Sequence, residues 1–146
     1  DRAVYYVPTM SGIAAVADRE EESGSKELAE FIRTLVVRPH IESVRLAHQA
    51  GLLVGAGTDT LGDLVTELQM FTACGMTAAE ALRTATMNAA TILGSLAEIG
   101  TVEAGKLADL VLVGADPLSD ISNLRSVAWV MKEGRVVTKA TLAGVQ

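Results

Sequence analysis

The apolar positions of this chain change period from one end to the other. Ala3, Val4, Tyr5, Tyr6 and Val7 form an unbroken run closed by Pro8. This predicts a buried strand over 4–7, because proline cannot extend a hydrogen-bonded ladder. Residues 11–25 are small and polar, with an acidic run at 18–22, which reads as a solvated loop or helix face. Leu28, Phe31, Ile32 and Leu35 then recur at i, i+3, i+4 and i+7, the stripe of an amphipathic helix over 26–35. Pro39 suits the first turn of a further helix, which ends near residue 50 with Gly51 at its C′ position. Leu52, Leu53, Val54, Gly55 and Ala56 are apolar throughout, as expected of a parallel strand covered on both faces. The order strand, helix, helix, strand is that of a right-handed crossover unit.

Beyond residue 60 the pattern is first helical. Asp63 can cap a helix ending near Cys74, with Gly75 as its stop. Thr77, Ala78, Ala79 and Glu80 spell a capping box, in which hydroxyl and carboxylate each serve the other's backbone N–H. The helix that follows holds Ala81, Leu82 and Ala85, and a shorter one over 88–93 stops at Gly94. From Thr101 onward the pattern is one of strands and turns. Leu110, Val111, Leu112 and Val113 predict a buried strand, and Ala115-Asp116-Pro117-Leu118 a turn. Residues 127–131 and 135–137 flank Glu133-Gly134 as a hairpin, with glycine at the φ > 0 position. The shift places a boundary near residue 100, dividing the chain into 1–100 and 101–146. No internal repeat is present.

Composition narrows the class. Hydrophobic residues make up 49% and charged residues 21% of the 146 residues, which fits a packed globular protein and not a disordered one. A net charge of −6 offers no electrostatic footprint for nucleic acid or an anionic membrane. No apolar stretch reaches the roughly 20 residues needed to span a bilayer. Cys74 is the lone cysteine, so an intramolecular disulfide and a cysteine metal cluster are excluded, and a reducing, cytoplasmic location is expected. The chain starts at Asp1 and enters an apolar strand within a few residues, the form expected of the C-terminal part of a larger protein.

The candidate chemistry centres on Asp59. It closes the run Leu52-Leu53-Val54-Gly55-Ala56-Gly57-Thr58-Asp59-Thr60, and a buried strand delivering an acid at its C-terminal end is how an α/β barrel presents a catalytic group. The alternative is a plain helix N-cap, since Thr58, Asp59, Thr60 and Asp63 all precede a helix. His40 and His48 lie eight positions apart in or beside the helix between the strands, as surface or packing residues. Glu80 reads as a cap, Cys74 as a small core hydrophobe, and Met70, Met76 and Met87 as core filling. Tyr5 and Tyr6 read as packing residues, and Lys106 and Asp109 as parts of a turn.

Three segments taken together carry a resemblance. These are residues 55–60 (Gly-Ala-Gly-Thr-Asp-Thr), residues 74–90 from Cys74-Gly75-Met76-Thr77 to Met87-Asn88-Ala89-Ala90, and residues 99–111 around Gly105-Lys106-Leu107-Ala108-Asp109. In this order and spacing the chain resembles the C-terminal part of the amidohydrolase superfamily, in the branch of imidazolonepropionase-like and Xaa-Pro-dipeptidase-like enzymes. Val7-Pro8-Thr9-Met10 and Arg38-Pro39-His40-Ile41-Glu42 fit the same branch. The resemblance implies an α/β fold: strands 7 and 8 of a TIM-like (β/α)8 barrel with their helices, followed by the C-terminal strands of a small β-sandwich. Strand 7 would be residues 3–10 and strand 8 residues 52–59. It further implies a metal-dependent hydrolase of C–N amide bonds in a small-molecule substrate, with a divalent metal, zinc, as cofactor. Asp59 would be both metal ligand and the catalytic base that takes a proton from the attacking water. The other ligands of that family are a His-x-His pair on strand 1, histidines on strands 5 and 6, and often a strand-4 lysine. All are expected upstream of Asp1, so the isolated chain is expected to be inactive. A non-catalytic structural or partner-binding fragment is the alternative. Two strands with open edges are also expected to make the isolated chain a homo-oligomer, or to pair it with the missing N-terminal part.

Overall fold

The computed structural model describes residues 4–59 and 61–137. Ala3, Thr60 and residues 138–146, which the sequence assigns to the first strand, the acid-bearing turn and the sandwich, lie outside the described residues. The first half of the chain is a parallel strand pair joined by helices. Strand β1 (Tyr5–Tyr6) pairs with β2 (Leu53–Val54) in the register Tyr5↔Leu53 and Tyr6↔Val54. Between them run α1 (Met10–Glu22), α2 (Lys26–Ile32) and α3 (Arg38–Gln49). The acidic stretch is thus the C-terminal part of a helix, and two of its carboxylates are held there: Arg33 bonds Asp18 at 2.7 Å and Glu21 at 2.6 Å.

Helices α2 and α3 are continuous through a π-helical segment, Arg33–Val37. The expected break before Pro39 is absent for a physical reason. Proline offers no N–H to the preceding turn, and a wider π turn immediately upstream lets the helix pass that position. The expected core stripe is corrected as well. Leu28, Phe31 and Leu35 are exposed, and the buried residue of α2 is Ala29. Small size lets α2 lie close against α1 across Ala29. Periodicity recognised the helix and misassigned its buried side.

Three further helices follow: α4 (Leu64–Ala73), α5 (Ala78–Ala85) and α6 (Met87–Ile92). Asp63 caps α4 by accepting the Thr66 N–H at 2.8 Å, and the Thr77–Glu80 capping box opens α5. The last segment is an antiparallel sheet of β3 (Leu110–Val113), β4 (Val127–Lys132) and β5 (Arg135–Val137), ordered β3-β4-β5. The β4–β5 turn has both Glu133 (φ 50°) and Gly134 (φ 78°) left-handed, the geometry of a type I′ hairpin. Asp109 fastens this turn by accepting from Lys132 Nζ at 2.6 Å and from the Glu133 N–H at 2.8 Å.

Burial differs from the expectation for apolar runs. Val4 and Tyr5 are exposed, as are Leu52, Val111 and Leu112, whereas Val54 is buried. On β3 the two middle residues are exposed and the two end residues half-buried, so burial there does not alternate with the strand period. The two segments on either side of residue 100 share one core. Ile121, on a 3₁₀ turn (Ile121–Arg125) of the second segment, is buried in the cluster that contains Phe71, Leu68, Met10, Val44 and Val54. Arg125 on the same turn reaches Asp63 at 2.6 Å. Between the segments, Lys106 has a side chain only 12% exposed, facing Glu103 at 3.5 Å. Its ammonium donates to the Leu96 carbonyl at 2.7 Å and to the Thr101 hydroxyl.

Candidate active site

Parallel pairing puts the C-terminal ends of β1 and β2 on the same side, and two backbone outliers mark that side. Thr9 has φ 54° and Asp59 has φ 55°, both in the left-handed region that L residues seldom adopt. A β-branched threonine there is strained, and such strain persists only where surrounding contacts impose it. Both residues line one cleft of about 110 Å³ with Gly12, Ile13, Val16 and Leu61. Asp59 is exposed, and Ile13, Val16 and Leu61 give the cleft beside it an aliphatic wall. Asp59 is not the cap of α4, because that position belongs to Asp63. The sequence's two readings of the acid are therefore separated by four residues.

Two glycines bring α1 against the turn that carries Asp59. A Cβ on Gly12 would sit 2.6 Å from the Thr58 carbonyl oxygen, and one on Gly62 would sit 2.5 Å from Ser11 Oγ. The turn itself is closed by the Gly62 N–H donating to the Thr58 carbonyl at 3.1 Å. The start of α1 is also held by Glu67 of α4, fully buried. Its two carboxylate oxygens accept from the Met10 N–H at 3.0 Å and the Ser11 N–H at 2.6 Å. A buried carboxylate is tolerable only when so paired, and backbone N–H groups at a helix start, with the positive end of the helix dipole behind them, are suitable partners. Bonds of this charge-assisted kind are worth about 1.5–3 kcal/mol each. The sequence reading did not single out Glu67. Its one signal was a carboxylate among Leu64, Val65, Leu68 and Phe71, on the inward face of an otherwise apolar helix.

Strand β2 is also fixed on the edge away from β1. Alternation sends the Gly55 N–H toward β1, where it donates to the Tyr6 carbonyl at 2.9 Å. The neighbouring groups point the other way: Asn88 Nδ2 donates to the Val54 carbonyl at 2.8 Å, and the Ala56 N–H donates to the Thr84 carbonyl at 3.0 Å. The edge expected to be open is thus partly occupied by the α5–α6 corner.

The remaining candidates fall outside the cleft. His40 is half-buried with its ring 6.5 Å from that of Tyr6, and His48 is half-buried on α3. Cys74 is buried, its thiol 3.6 Å from the Ile41 carbonyl. Burial, then the charges of Glu67 and Glu42, push that thiol above its ordinary range, as befits a packing residue. Met76 is in the core and Met70 packs against it. No group of three or more His, Cys, Asp or Glu side chains among the described residues is arranged to hold a metal ion. A hydrolytic metal needs about three or four protein ligands, which Asp59 by itself does not supply.

Comparison with known proteins agrees with this geometry. The model of the amidohydrolase family matches residues 2–137. Ochratoxinase from Aspergillus niger is 30% identical over 143 residues, covering 93% of this chain and 30% of the relative. Imidazolonepropionase from Sphingopyxis alaskensis is 49% identical over 57 residues, 38% of this chain and 14% of the relative. Among solved structures, a Xaa-Pro dipeptidase with methionine bound in its active site superposes with a TM-score of 0.78 at 32% identity, over 92% of this chain and 34% of its own. The chain spans about a third of the length of these full-coverage relatives. A parallel strand pair with an acid just past the end of its second strand, inside a match over nearly the whole sequence, places this chain in the amidohydrolase family.

Proposed function

We propose that the chain supplies strands 7 and 8, their helices and the C-terminal share of a small β-sandwich to a metal-dependent amidohydrolase. The reaction is hydrolysis of a C–N amide bond in a small substrate such as a cyclic amide, an N-acyl amino acid or a dipeptide. The observation that carries this reading is Asp59, held in a left-handed turn at the mouth of two parallel strands. A carboxylate there can accept the proton of an attacking water and return it to the departing amine, which general acid–base catalysis requires of one group in two protonation states. Asp59 is also proposed as one ligand of the metal, zinc, with the remaining ligands outside the described residues. Such a metal supplies a water whose pKa is lowered toward about 7. The relatives named as ochratoxinase, imidazolonepropionase and Xaa-Pro dipeptidase differ in substrate, so the class is kept at small amides.

The test is Asp59→Asn in the full-length protein that carries this segment, assayed against a panel of dipeptides, N-acyl amino acids and cyclic amides. Turnover should fall by about 10²–10⁴-fold with the circular dichroism spectrum unchanged and the bound zinc reduced. Wild-type turnover in that variant would remove Asp59 from the chemistry. The lack of a three-donor group among the described residues favours a second statement, that the isolated 146-residue chain is inactive and acts as a structural fragment. Stoichiometric, tightly held zinc in the isolated chain would contradict it.

A further inference from the structure

We infer that Glu67 is a positioning residue for Asp59, acting through the first turn of α1 without touching the cleft. This rests on the reading of Asp59 as the reacting carboxylate. Three contacts make up the path. Glu67 is fully buried on α4 and grips the start of α1 by accepting from the Met10 and Ser11 N–H groups, at 3.0 and 2.6 Å. That first turn of α1 meets the turn 58–62 with no room to spare: the site of a Gly12 Cβ lies 2.6 Å from the Thr58 carbonyl oxygen, and that of a Gly62 Cβ lies 2.5 Å from Ser11 Oγ. The turn 58–62 is closed by its own Gly62-to-Thr58 hydrogen bond and carries Asp59 in its left-handed conformation.

The chemistry of Glu67 suits this task and no other visible one. Both oxygens are taken by backbone donors, the Met10 and Ser11 N–H groups. Glu67 is not among the residues that line the cleft. Each carboxylate oxygen fixes one N–H, so the pair sets the rotation of α1 about its axis as well as its distance from α4. A glutamine at this position keeps the shape, but its NH₂ faces one of the two N–H donors, so one bond is lost and the turn can swing. Interlocked backbone passes that swing to Thr58, and Asp59 is the next residue.

The experiment uses the full-length protein with four variants: Glu67→Gln, Gly62→Ala, Asp59→Asn and, as a stability control away from the cleft, Thr77→Ala. Hydrogen–deuterium exchange is followed in peptides spanning 9–13 and 58–63, beside kcat and KM. Glu67→Gln should speed exchange in both peptides and lower kcat by about tenfold or more, the cost of one charge-assisted bond, with KM within about threefold of wild type. Gly62→Ala, which wedges the turn from α1 and leaves Glu67 intact, should lower kcat by a similar factor. Thr77→Ala should lower the melting temperature and leave kcat and both peptides unchanged. The inference is overturned if 58–63 exchanges at the wild-type rate in Glu67→Gln, or if Glu67→Gln or Gly62→Ala turns over as fast as Thr77→Ala. Full activity in Asp59→Asn would instead defeat the reading of the reacting group. The exchange data would still report whether Glu67 holds the turn.

Discussion

Thr9 shows how far a single residue can be read from sequence. Nothing in Val7-Pro8-Thr9-Met10 announces a left-handed threonine, because φ is imposed by contacts 50 residues away. Gly57 lets its backbone come close to Val7 and Thr9, Glu67 fixes Met10, and Thr9 takes the conformation that remains. Asp59 stands out in the sequence because a carboxylate ending an apolar run is a local pattern, whereas Glu67 does not, because its partners are backbone groups that no alphabet records. The strain at Thr9 has a measurable size. Thr9→Gly should raise the unfolding free energy by about 1 kcal/mol, the approximate cost of an L side chain in this region, read as a higher urea midpoint at unchanged slope. A lower midpoint would show that the Thr9 methyl, which lies 3.4 Å from the site of a Gly57 Cβ, matters more than the strain.

Among elements, caps were the best predicted features and buried faces the worst. Asp63, Thr77 and Glu80 act within a few residues of themselves, so spacing alone finds them. Leu28, Phe31 and Leu35 repeat like a core stripe yet face outward, because the neighbour that α2 meets is α1 across Ala29, and an alanine carries little weight in any periodicity count. One capping group also serves a long-range purpose. Asp63 is held down to about 2 from its ordinary 3.8, first by Arg125 and then by the N–H and hydroxyl of Thr66. A carboxyl depressed on folding contributes stability above its unfolded pKa, and the contribution is lost as pH falls from about 4 to 2. Both side chains are about half exposed, so solvent screening limits the pair to roughly 0.5–1 kcal/mol. Arg125→Gln should therefore be less stable than wild type by about that much at pH 7. The two should converge near pH 2, in urea titrations at each pH. A gap that persists undiminished in acid would assign the effect to packing of the 3₁₀ turn.

At the scale of the whole chain, the bare apolar surface is the main departure from an ordinary domain. Tyr5 on β1 and Val4 just before it, Leu28, Phe31 and Leu35, and Val111 and Leu112 on β3 are all exposed. The continuous apolar character of those strands suits a sheet covered on both faces; among the described residues these positions are bare. Asn88 and Thr84 occupy the far edge of β2, which shifts the expected site of association to the outer edge of β1. The isolated chain should accordingly self-associate, with a sedimentation coefficient that rises across the micromolar range and falls back when a charged residue replaces Tyr5. A constant monomer value would mean that these faces are shielded some other way.

Lys106 has a consequence for how such a chain can change over generations. A boundary between two modules is ordinarily where insertions are tolerated, because an exposed polar loop absorbs extra length. Here the connecting stretch is cinched by an ammonium that binds Leu96 and Thr101 and faces Glu103. Lengthening the loop would strand that charge in a half-dry setting. The helices before residue 100 and the terminal sheet are therefore joined as a clasp joins a strap, and recombination at residue 100 would break the very contact that makes the junction compact.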